Sequence, residues 1–148
     1  PAEMESLRQL ATASIFKPVS DPIKNAVYGN LERVRKQFAS PLPTITIDAD
    51  KANRNRLEIA DEMSDLLRAS GFEVKVLVSL LFDPSRKPIK AIFRPKDRQL
   101  VEAVLMAFEP MLHANVGVQE VPGRPGDEIV ILIMGEPRFT PGGIKVFE

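Results

Sequence analysis

Residues 44–82, TITIDADKANRNRLEIADEMSDLLRASGFEVKVLVSLLF, decide how the rest of the chain is read. Residues 44–48 alternate Thr and Ile with period two, the mark of a strand with one buried face. Asp48 or Asp50 then stands where a helix N-cap belongs. Ala52, Ile59, Ala60, Met63, Leu66 and Leu67 share one face of the helix that follows, and Gly71 sits where a left-handed C-cap ends it. Residues 72–82, rich in Val and Leu, predict a strand buried on part of both faces. The unit is strand–helix–strand.

Downstream the pattern recurs. A Pro/Ser turn at residues 83–87 leads to a strand over 89–93. A helix over 97–109 follows, with Leu100, Val101, Val104, Leu105 and Phe108 inward, ended by Pro110. Strands are expected at 116–121, 128–134 and 144–147, the first two joined by the turn PGRPGD at 122–127. Upstream, residues 4–11 carry a short apolar face. A second helix starts at Ser20 or Asp21 with Pro22 in its first turn, and Ile23, Val27, Leu31, Val34 and Phe38 form its stripe. That stripe suits core packing or pairing with a second copy. Pro41 and Pro43 close it.

The expected fold is α+β or α/β. Two N-terminal helices (residues 1–40, a connector or a layer on the core) precede an α/β domain at residues 41–148 whose centre runs βαββαβ. That order matches the split-βαβ, ferredoxin-like two-layer sandwich with extra C-terminal strands. The alternative is an open mixed sheet with the apolar fifth strand inserted centrally. The strand–helix–strand stretch is similar to many small α/β modules of bacterial proteins, in periodicity only.

Composition narrows the chemistry. The 148 residues hold 20 basic and 20 acidic groups, 44% hydrophobic residues, one His and no Cys. Disorder is excluded by the apolar content. Disulfides, thiol nucleophiles, thiolate zinc sites and iron–sulfur clusters are excluded by the absence of Cys. A cysteine-free chain suits the cytoplasm or the periplasm equally. The longest apolar run, six residues at 129–134, is far short of the ~20 that span a bilayer. The first residue is Pro, so the chain reads as a piece of a longer protein, with room upstream for a membrane tether.

Asp48 and Asp50 are the sharpest chemical feature. Two carboxylates two residues apart at a strand end can hold Mg²⁺ beside a phosphate, or serve catalysis. The plainer reading is one capping and one solvated Asp. Charge is also uneven: Arg86, Lys87, Lys90, Arg94, Lys96 and Arg98 give residues 83–98 a net +4. Such a segment can bind anions or nucleic acid, or simply protect a strand edge. Only one aromatic, Phe93, is interleaved, and no RNP1-like pattern appears, so nucleic acid is disfavoured. His113, the lone imidazole, lacks an orienting partner in sequence and reads as a helix-end residue. Phosphate-loop, dinucleotide and nucleophile-elbow glycine motifs are absent.

These readings favour a non-enzymatic interaction or ligand-sensing module of a larger, membrane-tethered or free bacterial protein, needing no cofactor. Its partner would be another protein or domain, a second copy included. The alternatives are a Mg²⁺-dependent phosphate-handling enzyme using Asp48 and Asp50, and anion or nucleic-acid binding through residues 86–98.

Overall fold

The structure, a computed structural model, describes residues 19–51, 54–81, 87–112, 115–123, 128–134 and 144–147. In chain order these form α1 (Asp21–Gln37), β1 (Ile45–Asp50), α2 (Arg54–Ala69), β2 (Val74–Ser79), β3 (Ile89–Phe93), a 3-10 turn (Pro95–Asp97), α3 (Arg98–Ala107), β4 (Asn115–Glu120), β5 (Ile129–Ile133) and β6 (Lys145–Phe147). The expected first helix, before residue 19, lies outside the described residues, as do His113 and Arg86.

The strands make one open, six-stranded mixed sheet in the order β2-β1-β5-β3-β4-β6. β5 runs parallel to β1 and antiparallel to β3, while β1/β2, β3/β4 and β4/β6 are parallel pairs. This corrects the split-βαβ expectation and matches the alternative. In a split arrangement β3 would lie between β1 and β2, and β1 between β3 and β4. Here each βαβ unit stays intact, and the apolar β5 enters between them. The physical reason is burial: Ile129, Ile131 and Ile133 are all at most 1% exposed, which a strand achieves only with neighbours on both edges and a layer on its face.

The helices share one face of the sheet. α2 packs on β1, β2 and β5, α3 packs on β3, and α1 rests against both α2 and α3. Ile45, Ile47 and Ala49 of β1 join Ile89, Ala91 and Phe93 of β3 and the β5 isoleucines in a single core beneath the helices. Period two then puts Thr46, Asp48 and Asp50 on the opposite face. Most of the α1 stripe serves the core: Val27, Leu31 and Val34 are buried and Phe38 packs beside them, while Ile23, at its start, is 36% exposed. Its outer face carries the chain's one tyrosine. The Tyr28 hydroxyl donates to Glu32 at 3.2 Å, and this bond with the Glu32 charge raises the phenol above its ordinary value. Ultraviolet titration should place that ionisation above about 10, and Glu32→Gln should bring it back down.

Gly71 ends α2 as the sequence predicts. Its φ is +98°, the Gly71 N–H bonds the Arg68 carbonyl and the Phe72 N–H bonds the Leu67 carbonyl, the two bonds of a Schellman cap. A Cβ there would lie 2.8 Å from Cδ of Arg35 in α1. Gly71→Ala is therefore expected to cost about 1–2 kcal/mol in denaturant melts, chiefly from the left-handed backbone. Adding Arg35→Ala should recover only the contact part of that loss, because a long side chain can yield and the backbone conformation cannot.

Candidate functional site

The sequence placed one of Asp48 and Asp50 at a helix cap and the other in solvent; both instead lie inside β1, which runs to Asp50. They face away from the main core, beside Leu77 and Ser79 of β2, their registered partners. Asp50 is 6% exposed and bonded at 2.5 Å by Arg56, in the first turn of α2. The charge that would have faced solvent is matched by a guanidinium six residues on. Sequence offered no pointer to this pair, because its geometry depends on how the chain turns from β1 into α2.

Asp48 is held differently. Its Oδ2 accepts the Ser79 hydroxyl at 3.2 Å, and its Oδ1 is enclosed with no hydrogen-bond partner among the described residues. A buried carboxylate oxygen without a donor is uncommon, since leaving such a group unpaired costs about 1–3 kcal/mol. On the same face Thr46 donates to Glu128 at 2.6 Å, joining β1 to the start of β5. Among the described residues no three of the acidic and histidine side chains are grouped so as to hold a metal ion.

The basic segment is divided by β3. Lys87 flanks its start, and the stems of Lys87 and Lys90 lie over Gly117 of β4, where an added Cβ would come within 3.3 Å of Lys87 Cγ. Arg94, Lys96 and Arg98 follow the other end of the strand, about 17 Å away for five extended residues. Arg98 bonds Glu120 and Glu102 and lies 5.9 Å from the centre of the Phe93 ring. Each of Lys87, Lys90, Arg94, Lys96 and Arg98 has a partner within the chain. Arg86 lies outside the described residues.

A further feature escaped the sequence reading. β2 is the outermost strand of the sheet on its side, and Leu77, Val78 and Leu80 are 50%, 53% and 73% exposed. An apolar run on both faces reads as a central strand, so the sequence expected burial here. The only signal to the contrary was Lys75, a charge of the kind that edge strands carry. Comparison with known protein families, curated proteins and solved structures gives no match.

A double-mutant cycle on Asp50→Asn and Arg56→Met should show a coupling of about 1–3 kcal/mol in chemical denaturation, because the carboxylate is shielded from water. A coupling near zero would mark the pair as an ordinary surface contact.

Proposed function

We propose that this chain is a non-enzymatic interaction module that docks through the free edge of β2. The observation that carries the reading is the exposure of Leu77 and Val78 in β2 and of Leu80 just past its end, with no described neighbour on the outer side of the strand. Edge strands present unpaired N–H and C=O groups, and proteins that have no use for such an edge blunt it with charge, bulges or a covering element. Here the edge bears one lysine, Lys75, and three large apolar side chains. Exposed apolar surface gathered on a strand edge is what strand-addition recognition uses: main-chain bonds give affinity and side-chain pockets give specificity.

A second reading is favoured by one observation, the enclosed and unpartnered Oδ1 of Asp48. A cation or a donor group on a ligand would satisfy it, as the Mg²⁺-dependent phosphate-handling alternative requires. Against that reading, Asp50, the second carboxylate it calls for, already binds Arg56. A cation there would compete with that guanidinium.

Two measurements separate the readings. A photo-crosslinking residue at position 80 should yield one discrete adduct in extract of the cells that make the protein. The same residue at Gln99, on α3 away from β2, should not, and Leu77→Lys should abolish the adduct. In parallel, thermal unfolding with Mg²⁺ or Mn²⁺ is expected to be the same for wild type and Asp48→Asn. A ligand at 100 times its dissociation constant adds about 2.7 kcal/mol to the folded state, so a real site would register. A metal-dependent rise lost in Asp48→Asn, with no adduct from position 80, overturns the interaction reading.

A further inference from the structure

Resting on the interaction reading, we infer that the partner at this edge is a second copy of the chain, its β2 paired antiparallel to the first with Leu77 at the two-fold axis. The direction of the β2 main chain carries the argument. The Ile45 N–H bonds the Glu73 carbonyl and the Lys51 N–H bonds the Ser79 carbonyl. With the parallel register of β1 and β2, these two bonds assign Glu73, Lys75, Leu77 and Ser79 as the residues whose main-chain groups point toward β1. The main-chain groups of Val74, Val76 and Val78 therefore point outward, and the same alternation carried one residue past β2 adds Leu80. The Val74 carbonyl confirms the direction, since it accepts a bond from the Arg68 side chain at 3.1 Å rather than from β1.

An isologous two-fold interface between identical strands with the axis normal to the sheet is antiparallel, and it sets outward residues opposite outward residues. Centring the pair on Leu77 places Val76 against the partner's Val78 and Val74 against the partner's Leu80. All four outward residues then exchange main-chain bonds. The Arg68 contact need not break, because a carbonyl oxygen has two lone pairs. The three exposed apolar side chains are matched in the same register: Leu77 meets its own copy, Val78 meets Val76 and Leu80 meets Val74. Charge fits as well. Lys75 faces the partner's Ser79, and the two lysines stand about 13 Å apart along the strands, beyond the ~8 Å screening length at physiological salt. Shifting the centre to Lys75 would set two ammonium groups face to face, and shifting it to Val76 would leave Leu80 outside the outward-facing pairs.

The absence of cysteine makes the test clean. At a non-hydrogen-bonded antiparallel pair the two Cα atoms are about 4.5 Å apart, within the range a disulfide bridges. Leu77→Cys should therefore oxidise to a covalent dimer at least about tenfold faster than Leu80→Cys, although position 80 is the more exposed, because Leu80 faces Val74 and not its own copy. Sedimentation equilibrium of the wild-type chain should show a reversible monomer–dimer exchange. Leu77→Lys, with an unchanged circular dichroism spectrum, should weaken it about tenfold or more by opposing two charges at the axis. A wild-type chain that stays monomeric to several hundred micromolar overturns the inference, as does equal oxidation at positions 77 and 80. If the chain is monomeric while position 80 still captures a different protein, sensitive to Leu77→Lys, the edge is a docking site and the second copy is not its occupant. If both fail, the interaction reading falls too.

Discussion

The architecture depends on β5 lying between β1 and β3. Each βαβ unit, β1–α2–β2 and β3–α3–β4, pairs its own two strands, and among the described residues the two units meet in the sheet only through β5. The ladder also extends beyond the strand. The Ile129 N–H bonds the Thr44 carbonyl at 2.9 Å, and the Met134 N–H bonds the Pro88 carbonyl at 2.8 Å. One short strand thus fastens the starts of both units. It does so across a long sequence gap: the Thr46–Glu128 bond joins residues 82 apart. Loop closure of that length must be offset by burial, and three isoleucines with almost no exposed surface are what β5 contributes.

The helical layer follows from the same constraint. With β5 parallel to β1 and antiparallel to β3, the two units diverge from the centre of the sheet, and their right-handed crossovers put α2 and α3 on one face. The gap between α2 and α3 is filled by α1, whose Val27, Leu31 and Val34 complete the core. Polar contacts hold α1 at both sides. Lys24 pairs with Glu62 of α2 at 3.2 Å, and the Asn30 amide donates to the Ala107 carbonyl at the end of α3 at 3.2 Å. The close approach of Arg35 to Gly71 belongs to the same seam. These surface pairs contribute little energy individually, but they orient a helix that the apolar stripe alone would leave free to slide.

Element types were legible in the sequence, and element placement was legible only in part. Inward residues of α2 and α3 follow directly from their 3.6-residue spacing, and every one of Ile59, Ala60, Met63, Leu66, Leu67, Leu100, Val101, Val104, Leu105 and Phe108 is buried. The Gly71 cap was equally plain, because only a left-handed position calls for Gly at that point. Strand order was not legible, since periodicity reports the face a residue occupies and says nothing about which strand lies beside it. The same limit explains β2. Its Val and Leu run looks the same whether neighbours lie on both sides or on one, so an edge strand read as a central one. Asp48 and Asp50 were found as a pair but given the environment of a cap, because β1 runs two residues further than its Thr/Ile alternation suggests.

The two ends of the sheet differ in a way that bears on how the molecule meets others. On one side the sheet ends in β6, three residues paired to β4. A strand so short offers little template for another chain, which is one of the ways edges are kept inert. On the other side it ends in β2, twice as long and apolar toward both faces beyond Lys75. Among the described residues, Arg68 covers the main chain at Val74, the start of that strand. Protection is therefore graded along β2, strongest at its beginning and weakest where Leu77, Val78 and Leu80 stand. Asp48 adjoins the weak end through its register with Leu77 and its bond from Ser79. A strand added to β2 would lie two strand spacings from β1, roughly 10 Å. That is too far to replace the Ser79 hydroxyl, so docking at the edge and chemistry at Asp48 can be probed as separate properties of adjoining strands.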